Sequence, residues 1–411
     1  MMLTDRGIGL AGGAGGLWLA SRGFGVPELQ IAAVATLTLL VLSVLAVRLS
    51  SARLSVDRTV RPTRLFHDAE AQLTLVVHNR SRLPTTAMEL EDLAPPVLAS
   101  QGARMRLGSL PSLASRTMAY RLRGYHRGRF EVGPLVARLS DPFGLATRRV
   151  ELSGTSELVV YPRIWTLSDE IPLGGATGGG RGRTQPLASG EDLAHVREYV
   201  RGDDLRKVHW ATTAHRGKLM IRQPEAPRDP SATLLLDARD QAHRGVGTTS
   251  SLETAVSAAA SVIHHLALHG RAVTLVGGTD TTAPAPRPWR AQLAQLAELS
   301  PTRTSLRPTL RQLASGALGE GLLVAVHAVP DPDELRELVR AGRVFTLRLA
   351  LLVDPHSHAG GAPPGQQAQA TADALRVAGW RVSLIGAGDR IDERWQDLLL
   401  RTTRLPSGTG R

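Results

Sequence analysis

The chain contains no cysteine, only two lysines (Lys207 and Lys218) and few aromatic residues, which make up 4% of it. Without cysteine it can form no disulfide, no thiolate metal site and no cysteine nucleophile. The net charge of +12 therefore comes almost wholly from arginine. No run of basic residues is interleaved with aromatic ones, so we do not expect nucleic acid as a partner. At 411 residues the chain is too long for one hydrophobic core, which predicts several domains.

Charge is also missing from a long stretch near the N-terminus. Residues 29–47 contain no charged side chain and are enough to cross a hydrocarbon core about 30 Å thick. Residues 48–64, directly after this run, contain five arginines and one acid, Asp57. The arginines are Arg48, Arg53, Arg58, Arg61 and Arg64. This excess predicts that the bulk of the chain lies in the cytoplasm.

A shorter, glycine-rich apolar run covers residues 8–20. The pairs Gly9/Gly13 and Gly12/Gly16 place small residues four apart, a spacing that permits close packing of helices. We predict that residues 1–50 form two membrane-anchoring helices, with both ends of the hairpin in the cytoplasm. The protein would then be a multi-pass integral membrane protein. The alternative for the first run is a cleaved signal peptide, although the second run would still anchor the product.

Two further domains are predicted from the rhythm of apolar residues. Residues 55–165 show short alternating runs between turn residues, typical of an antiparallel β-sandwich. The runs are residues 73–77, 88–90, 116–122, 129–132 and 158–161. Three polar residues in this domain, His126, Arg127 and Arg129, are expected on a solvated face. A glycine-rich linker, residues 166–189, follows.

Residues 230–403 alternate apolar strands with helical patterns, which predicts a doubly wound α/β domain with a parallel sheet. The predicted strands are residues 232–236, 271–276, 321–328, 344–353 and 380–385. The predicted helices are residues 250–269, 290–299, 331–341, 366–378 and 390–399. Ligands of such sheets bind at the carboxyl ends of the strands, and Asp237 follows the first strand.

The densest set of charges lies between the two domains, in residues 190–225. A capping-box variant that begins at Ser189 predicts a helix over residues 191–200. Gly202 suits the position just beyond the end of that helix. Asp203 or Asp204 would then cap a second helix.

This second helix is expected to run through Trp210, and residues 219–221 return as a strand. Because every acid in the segment has an arginine close by in sequence, we predict a charge-paired network that holds two larger units together. The catalytic alternative would use Asp203, Asp204 and His209 as an acid–base or metal cluster.

Ordered motifs along most of the chain resemble those of the bacterial family called domain of unknown function 58 (DUF 58). In the sandwich they are Tyr120-Arg121-Leu122, Arg127-Gly128, Gly133-Pro134-Leu135, Asp141-Pro142-Phe143-Gly144-Leu145 and Val160-Tyr161-Pro162-Arg163. In the charged segment they are Arg197, Glu198, Tyr199, Gly202, Asp203, Asp204, Arg206, His209 and Trp210. One departure is His215, where such sequences usually carry arginine.

The resemblance implies a membrane-anchored protein whose α/β domain is von Willebrand factor A-like, that is, Rossmann-like. It also implies a partnership with MoxR-type AAA+ ATPases, and sometimes with transglutaminase-like membrane proteins. A von Willebrand metal site would need hydroxyls two and four residues after Asp237, where this chain has Arg239 and Gln241. A guanidinium there repels a cation and can neutralise Asp237, so we expect no metal and no other cofactor.

We therefore predict a non-enzymatic membrane scaffold that acts through protein–protein interaction, with the charged motif as its structural or partner-binding segment. The alternative is a metal-dependent ligand binder or hydrolase that uses Asp203, Asp204, His209 and Asp237.

Overall fold

In this computed structural model the described residues are 2–51, 53–101, 103–168, 196–199, 208, 210–222, 231–278, 285–319, 321–360 and 365–400. The chain divides into two units. The first comprises Met1–Trp165 together with Arg290–Ser300, and the second comprises Thr166–Trp289 and Pro301–Arg411.

Two helices begin the first unit, α1 (Asp5–Phe24) and α2 (Pro27–Ser51). Thr4 caps α1 by accepting a hydrogen bond from the Gly7 amide, and the left-handed Gly25 ends it. One described helix is long and apolar enough to cross a membrane, over Pro27–Leu49 of α2, with a mean hydropathy of 2.3. The predicted helix over residues 29–47 is thus present, whereas α1 does not meet the same standard of length and apolarity.

Most buried positions of α1 and α2 recur every seven residues. They are Gly7, Ala14 and Ser21 on α1, and Ala33, Leu40 and Val47 on α2, and Ser43 of α2 is buried in addition. This spacing produces a narrow seam of mostly small side chains, as in packed membrane helices. The predicted glycine pairs are not part of it, because a Cβ atom at Gly9, Gly12, Gly13 or Gly16 would meet nothing within 4 Å.

The rest of the first unit is a set of β-strands. They are β1 (Met2–Leu3), β2 (Leu54–Arg61), β3 (Arg64–Leu65), β4 (Glu70–Asn79), β5 (Met88–Asp92), β6 (Leu98–Gln101), β7 (Arg104–Leu107), β8 (Ser115–Gly124), β9 (Gly128–Val132), β10 (Leu135–Ser140), β11 (Ala146–Ser153) and β12 (Ser156–Val160). Three sheets result, in the orders β1-β11-β10-β5-β7, β2-β4-β8-β6 and β3-β12-β9. Only β3 and β12 pair in parallel. All five predicted β-runs of this domain coincide with strands of these sheets.

The two larger sheets share one hydrophobic core, as the alternating pattern predicts. Leu73 and Leu75 of β4 face into it from one sheet, and Leu90 of β5 and Leu139 of β10 from the other. Val47, near the end of α2, is completely buried in the same core. The last turns of the helix therefore pack against the sandwich through Val47, which fixes them to the domain that follows.

The start of α1 is attached to the same sandwich. Strand β1 pairs with β11, Leu3 opposite Ala146. The Thr4 hydroxyl donates to the Gly144 carbonyl oxygen at 2.6 Å. Gly7 lies so close to the Leu145 carbonyl oxygen that a Cβ atom would approach it to 2.3 Å, which only glycine avoids. Both the beginning of α1 and the end of α2 are thus held by one sheet.

The Asp141–Leu145 motif forms the turn that holds Thr4. The buried Asp141 carboxylate accepts backbone N–H groups from Phe143, Leu145 and Ala146 at 2.7 to 3.0 Å. This pattern accounts for the aspartate of the motif, since three otherwise unpaired amides depend on it.

The second unit contains β13 (Val196–Glu198), α3 (Trp210–Arg216) and β14 (Met220–Arg222), followed by an α/β domain. Its strands are β15 (Ala232–Leu236), β16 (Val273–Val276), β17 (Leu322–Ala328), β18 (Leu347–Val353) and β19 (Arg381–Ile385). Its helices are α4 (Ser251–Leu268), α6 (Arg307–Ala314), α7 (Pro332–Gly342), α8 (Pro355–Gly360), α9 (Gln366–Val377) and α10 (Ile391–Leu400). The helix α5 (Trp289–Glu298) lies mostly in the residues grouped with the first unit.

The five strands form one parallel sheet in the order β16-β15-β17-β18-β19, as predicted. Helices α6, α7 and α9 pack on one face, where Leu310, Leu338 and Leu375 meet Leu323 and Leu352 of the strands. Helix α4 contacts β15 to β18. Because the strand order reverses between β15 and β17, a crevice for ligands is expected at the carboxyl ends of these two strands.

Candidate functional site

Charged side chains occupy the place where the strand order reverses. Asp237 follows β15 directly, and its side chain is fully buried. Arg239 donates from Nε to Asp237 Oδ1 and from Nη2 to Asp237 Oδ2, both at 2.9 Å. Its Nη1 forms an ion pair with Glu334, in the first turn of α7. The guanidinium thus lies between the two carboxylates and pairs with both.

Histidines complete this cluster from two sides. Nδ1 of His327, in β17, lies 3.3 Å from Asp237 Oδ2, and the His327 ring is fully buried. Nε2 of His243 lies 2.9 Å from the Asp237 carbonyl oxygen, and its Nδ1 lies 3.0 Å from the Ser251 hydroxyl. Burial lowers the pKa of His243, since a charged imidazole is poorly solvated there.

The electrostatics of Asp237 follow from these neighbours. Burial by itself raises the pKa of this carboxyl, but the adjacent His327 and Arg239 outweigh burial and bring the pKa down to about 2. The Arg239 pKa is raised by its hydrogen bonds to Asp237 and Glu334, although burial opposes the rise. Asp237 and Arg239 are therefore ionised at neutral pH, and the Asp237 carboxylate is already bound to a cationic side chain.

Four of the residues predicted for the charged motif are described, Arg197, Glu198 and Tyr199 near its start and Trp210 at its end. Arg197 and Glu198 belong to β13, which pairs antiparallel with β14, Arg197 opposite Ile221. Tyr199 follows, and its amide donates to the Leu219 carbonyl oxygen at 2.9 Å. Gly202, Asp203, Asp204, Arg206 and His209 lie outside the described residues.

The helices predicted for this segment are wrong in the part that the structure describes. Val196–Glu198 is a strand, whereas a helix was expected over residues 191–200. Trp210 begins a helix, whereas it was expected to end one. A helix over 191–200 would gain only a few tenths of a kcal/mol per ion pair. Pairing with the apolar β14 strand outweighs this, because it satisfies backbone groups of both segments. The strand predicted over residues 219–221 is present as β14.

Among the described residues of the charged motif, Trp210 has the most exposed aromatic side chain. Its exposed fraction is 71%, although it lies at the start of α3, seven residues long. Exposed tryptophan is uncommon because its large apolar surface gains most from burial. It is therefore a candidate contact for another protein.

Arg127 was expected on a solvated face, but in the structure its side chain contacts the end of α5. Its guanidinium donates to the carbonyl oxygens of Leu296 at 2.5 Å and Leu299 at 2.8 Å, where α5 ends. Beside it, Arg129 binds both Glu157 and Glu298. A cation at the end of a helix satisfies free carbonyls and favours the helix dipole. The Arg127-Gly128 motif thus has a structural role that only long-range contacts show.

Replacing Arg127 by alanine should loosen the end of α5. Because the change removes charged hydrogen bonds to several carbonyl oxygens, we expect a loss of about 1.5–3 kcal/mol of local stability. Hydrogen exchange measured by mass spectrometry should then be faster in residues 293–299. Arg123→Ala, which removes an exposed arginine of the same unit, is the control. Equal exchange in the two variants would contradict the assigned contact.

Comparison with known proteins connects these observations. Residues 195–351 match the model of the family described as "Protein of unknown function DUF58". The match covers less than half of the chain. It begins at the charged motif and ends within β18, so it contains Trp210, the Asp237 cluster and most of the parallel sheet.

The chain is also similar to a curated protein. "Uncharacterized protein YeaD" of Bacillus subtilis (strain 168) is 26% identical over 220 residues, 52% of this chain. The chain spans 53% of the length of that relative. Two solved structures also show local likeness, a FixG-related protein from Vibrio parahaemolyticus and the secreted serine protease VesC from Vibrio cholerae. The FixG-related protein has a TM-score of 0.19 at 13% identity, and the match covers 26% of this chain and 95% of that protein. VesC has a TM-score of 0.21 at 14% identity, and the match covers 29% of this chain and 26% of that protein.

Sequence reasoning identified Asp237 and Arg239 but missed the residues that complete the cluster. His327 is an isolated polar residue in an apolar strand, and such a residue at the carboxyl half of β17 was a usable signal. Glu334 carried a weaker sequence signal, because it is one of several charged residues in the first turns of α7. Only the connection from β17 to α7 brings it beside Arg239. Among the described residues, no group of three or more His, Asp or Glu side chains is arranged to hold a metal ion.

Proposed function

We propose that the chain is an integral membrane scaffold without enzymatic activity, whose DUF58 domain binds another protein. The observation that carries this proposal is the ion-paired Asp237 cluster. In parallel sheets of this kind, ligands bind where the strand order reverses. Here Asp237 and Glu334 both pair with Arg239 at that place, so these charged groups are engaged within the protein.

The α/β domain is, on this proposal, of von Willebrand factor A type, with Arg239 in place of the metal ion. Its role would then be recognition by surface contacts, independent of a bound cation. Trp210, at the start of α3, supports such a contact because of its exposure. The motif residues Arg197, Glu198, Tyr199, Gly202, Asp203, Asp204, Arg206 and His209 belong to the same proposed surface.

Anchoring by two helices is the second part of the proposal. Sheet β1-β11-β10-β5-β7 holds the start of α1 through β1, and Val47 of α2 is buried in the core behind it. If α2 spans the bilayer, α1 runs back beside it over a similar length, since 20 helical residues extend about 30 Å. Cleavage as a signal sequence would remove β1 and Val47 from the sandwich. A retained hairpin with the sandwich in the cytoplasm is therefore favoured.

The partner class comes from the family resemblance, which implies a MoxR-type AAA+ ATPase. The test is a crosslinked pull-down of the full chain from native membranes, with recovered proteins identified by mass spectrometry. We expect an AAA+ ATPase with the wild type. Trp210→Ala should lower its recovery about tenfold or more, since an exposed tryptophan in an interface contributes about 2 kcal/mol.

The control is Leu268→Ala, which removes another exposed apolar side chain of the second unit, 70% exposed in the structure. It should not change recovery. Equal loss in both variants would contradict the docking surface at Trp210, and absence of any AAA+ ATPase from the wild-type sample would contradict the partner. A rise of several degrees in melting temperature with Mg²⁺ or Mn²⁺, abolished in Asp237→Ala, would instead support metal-dependent ligand binding.

A further inference from the structure

A row of four charged side chains crosses the outer face of the sheet that holds the membrane helices. Arg149 of β11 is opposite Arg138 of β10, Arg138 is opposite Glu89 of β5, and Glu89 is opposite Arg106 of β7. We call these residues the cross-strand row. They line part of a surface cavity of 450 Å³.

The charges of the cross-strand row do not balance. Nε of Arg106 donates to Glu89 Oε1 at 2.9 Å, so the one acid of the row is already paired. Arg138 and Arg149 are exposed neighbours, and within the described part of the chain neither has an acidic side chain at ion-pair distance. Like charges directly opposite each other on adjacent strands are unfavourable. An anion bound between the two guanidinium groups would remove this repulsion.

The position of the row indicates which anion is available. Met2 is opposite Thr147 on β11, and α1 begins only three residues after Met2. Arg149 is two residues further along the strand, about 7 Å from Thr147. Phe143, on the turn that binds Thr4, is 59% exposed, so a large apolar side chain is available there to contact lipid. With α1 and α2 in a bilayer, this edge of the sheet lies next to the lipid headgroups.

We propose that Arg138 and Arg149 bind the phosphate group of an anionic phospholipid in the membrane that holds α1 and α2. This inference rests on the membrane anchoring proposed above. Each guanidinium presents a planar fork of N–H donors that matches two phosphate oxygens, so two opposed arginines can hold one headgroup. The site would fix the sandwich against the cytoplasmic leaflet, which carries the negatively charged lipids.

The test uses the full chain in a neutral detergent, titrated with phosphatidylglycerol, phosphatidylcholine or inorganic phosphate while the melting temperature is recorded. Phosphatidylglycerol should stabilise the wild type, whereas the other two should have little effect. In Arg138→Gln/Arg149→Gln the half-saturating phosphatidylglycerol concentration should rise about thirtyfold, since each arginine near an anionic surface contributes about fivefold. Without lipid this variant should be at least as stable as the wild type, because the repulsion is gone.

Arg116→Gln/Arg121→Gln is the control with the same change in charge, on exposed positions of β8 in the other sheet. It should titrate like the wild type. Equal effects of the two double variants would overturn the site, and so would stabilisation by inorganic phosphate to the same degree as by phosphatidylglycerol. Carbonate extraction of membranes separates the two proposals. If the wild type is released, the anchoring fails and this site with it; if all forms stay in the pellet and titrate alike, only the headgroup site fails.

Discussion

Asp237→Ala should destabilise the second unit by about 3–5 kcal/mol, because it leaves the buried Arg239 guanidinium without its bidentate partner. Glu334 would remain as the only acid in contact with Arg239, and the charge of that residue does not replace two hydrogen bonds at 2.9 Å. Chemical denaturation of the full chain, followed by tryptophan fluorescence, measures the effect. Trp395, fully buried in the second unit, supplies a signal from the affected domain.

The matched control is Asp240→Ala, which removes an exposed acid three residues away and should change stability by less than about 0.5 kcal/mol. The triple variant Asp237→Leu/Arg239→Met/Glu334→Gln tests the cause. It removes all three charges of the cluster, so most of the lost stability should return if the unpaired guanidinium is responsible. A triple variant as unstable as Asp237→Ala would contradict this explanation.

The same carboxyl makes stability depend on pH. Its pKa in the folded protein is about 2, below its ordinary value of 3.8. A depressed carboxyl pKa contributes stability that is complete above the unfolded value and is lost as the pH falls through the folded value. Wild-type stability attributable to Asp237 should therefore be constant above about pH 5 and decline between about pH 4 and pH 2. Asp237→Asn should lack this part of the acid dependence.

Asp92→Ala should destabilise the first unit to a similar degree, about 3–5 kcal/mol. The Asp92 carboxylate is fully buried, binds the buried Arg58 and accepts a hydrogen bond from the Tyr120 hydroxyl at 2.7 Å. Removing it leaves a buried guanidinium and a buried hydroxyl without that acceptor. Tyr120 belongs to the sandwich motifs, so this network explains why a tyrosine is needed there. Denaturation of the full chain again gives the measurement.

Glu91→Ala provides an unusually close control for Asp92→Ala. Glu91 precedes Asp92 on the same strand and also pairs with an arginine, but Arg104 is 82% exposed and Glu91 is 37% exposed. Exposed pairs contribute about 0–1 kcal/mol, so the control should remain near wild-type stability. If both variants lost equal stability, burial would not be the deciding difference. Burial raises the pKa of Asp92 against the opposing effects of Tyr120 and Arg58, so its pH dependence has the opposite sign to that of Asp237.

Secondary structure with a strong apolar period was predictable, and the parallel sheet shows why. In β15, β17 and β18 the buried residues are nearly continuous, and the helices between them repeat apolar residues on one face. A strand that is buried on both faces of a sheet is apolar at nearly every position, so its own residues are enough to predict it. The β-sandwich strands were equally visible, because β4 alternates buried and less buried positions along its length.

The charged motif was harder to predict because its local signals favoured the wrong element. Acids and arginines at short spacing are compatible with a helix, yet Val196–Glu198 pairs as a strand with Met220–Arg222, over twenty residues away. Local ion pairs contribute too little to oppose such pairing. The missing information lay in the partner strand and not in the segment itself.

The sequence by itself determined the apolar α2 helix, the succession of β-runs and α/β alternation, and the position of Arg239 two residues after Asp237. These features are local, because the spacing of apolar residues and the residue type at one position can be read within a single helix, strand or turn. Tertiary structure alone decided that Arg239 meets Glu334, that His327 lies beside Asp237, that Arg127 caps α5, and that Arg138 faces Arg149. Each of these contacts joins residues that are far apart in the chain or on different strands, so its energy depends on chain folding that no single segment encodes.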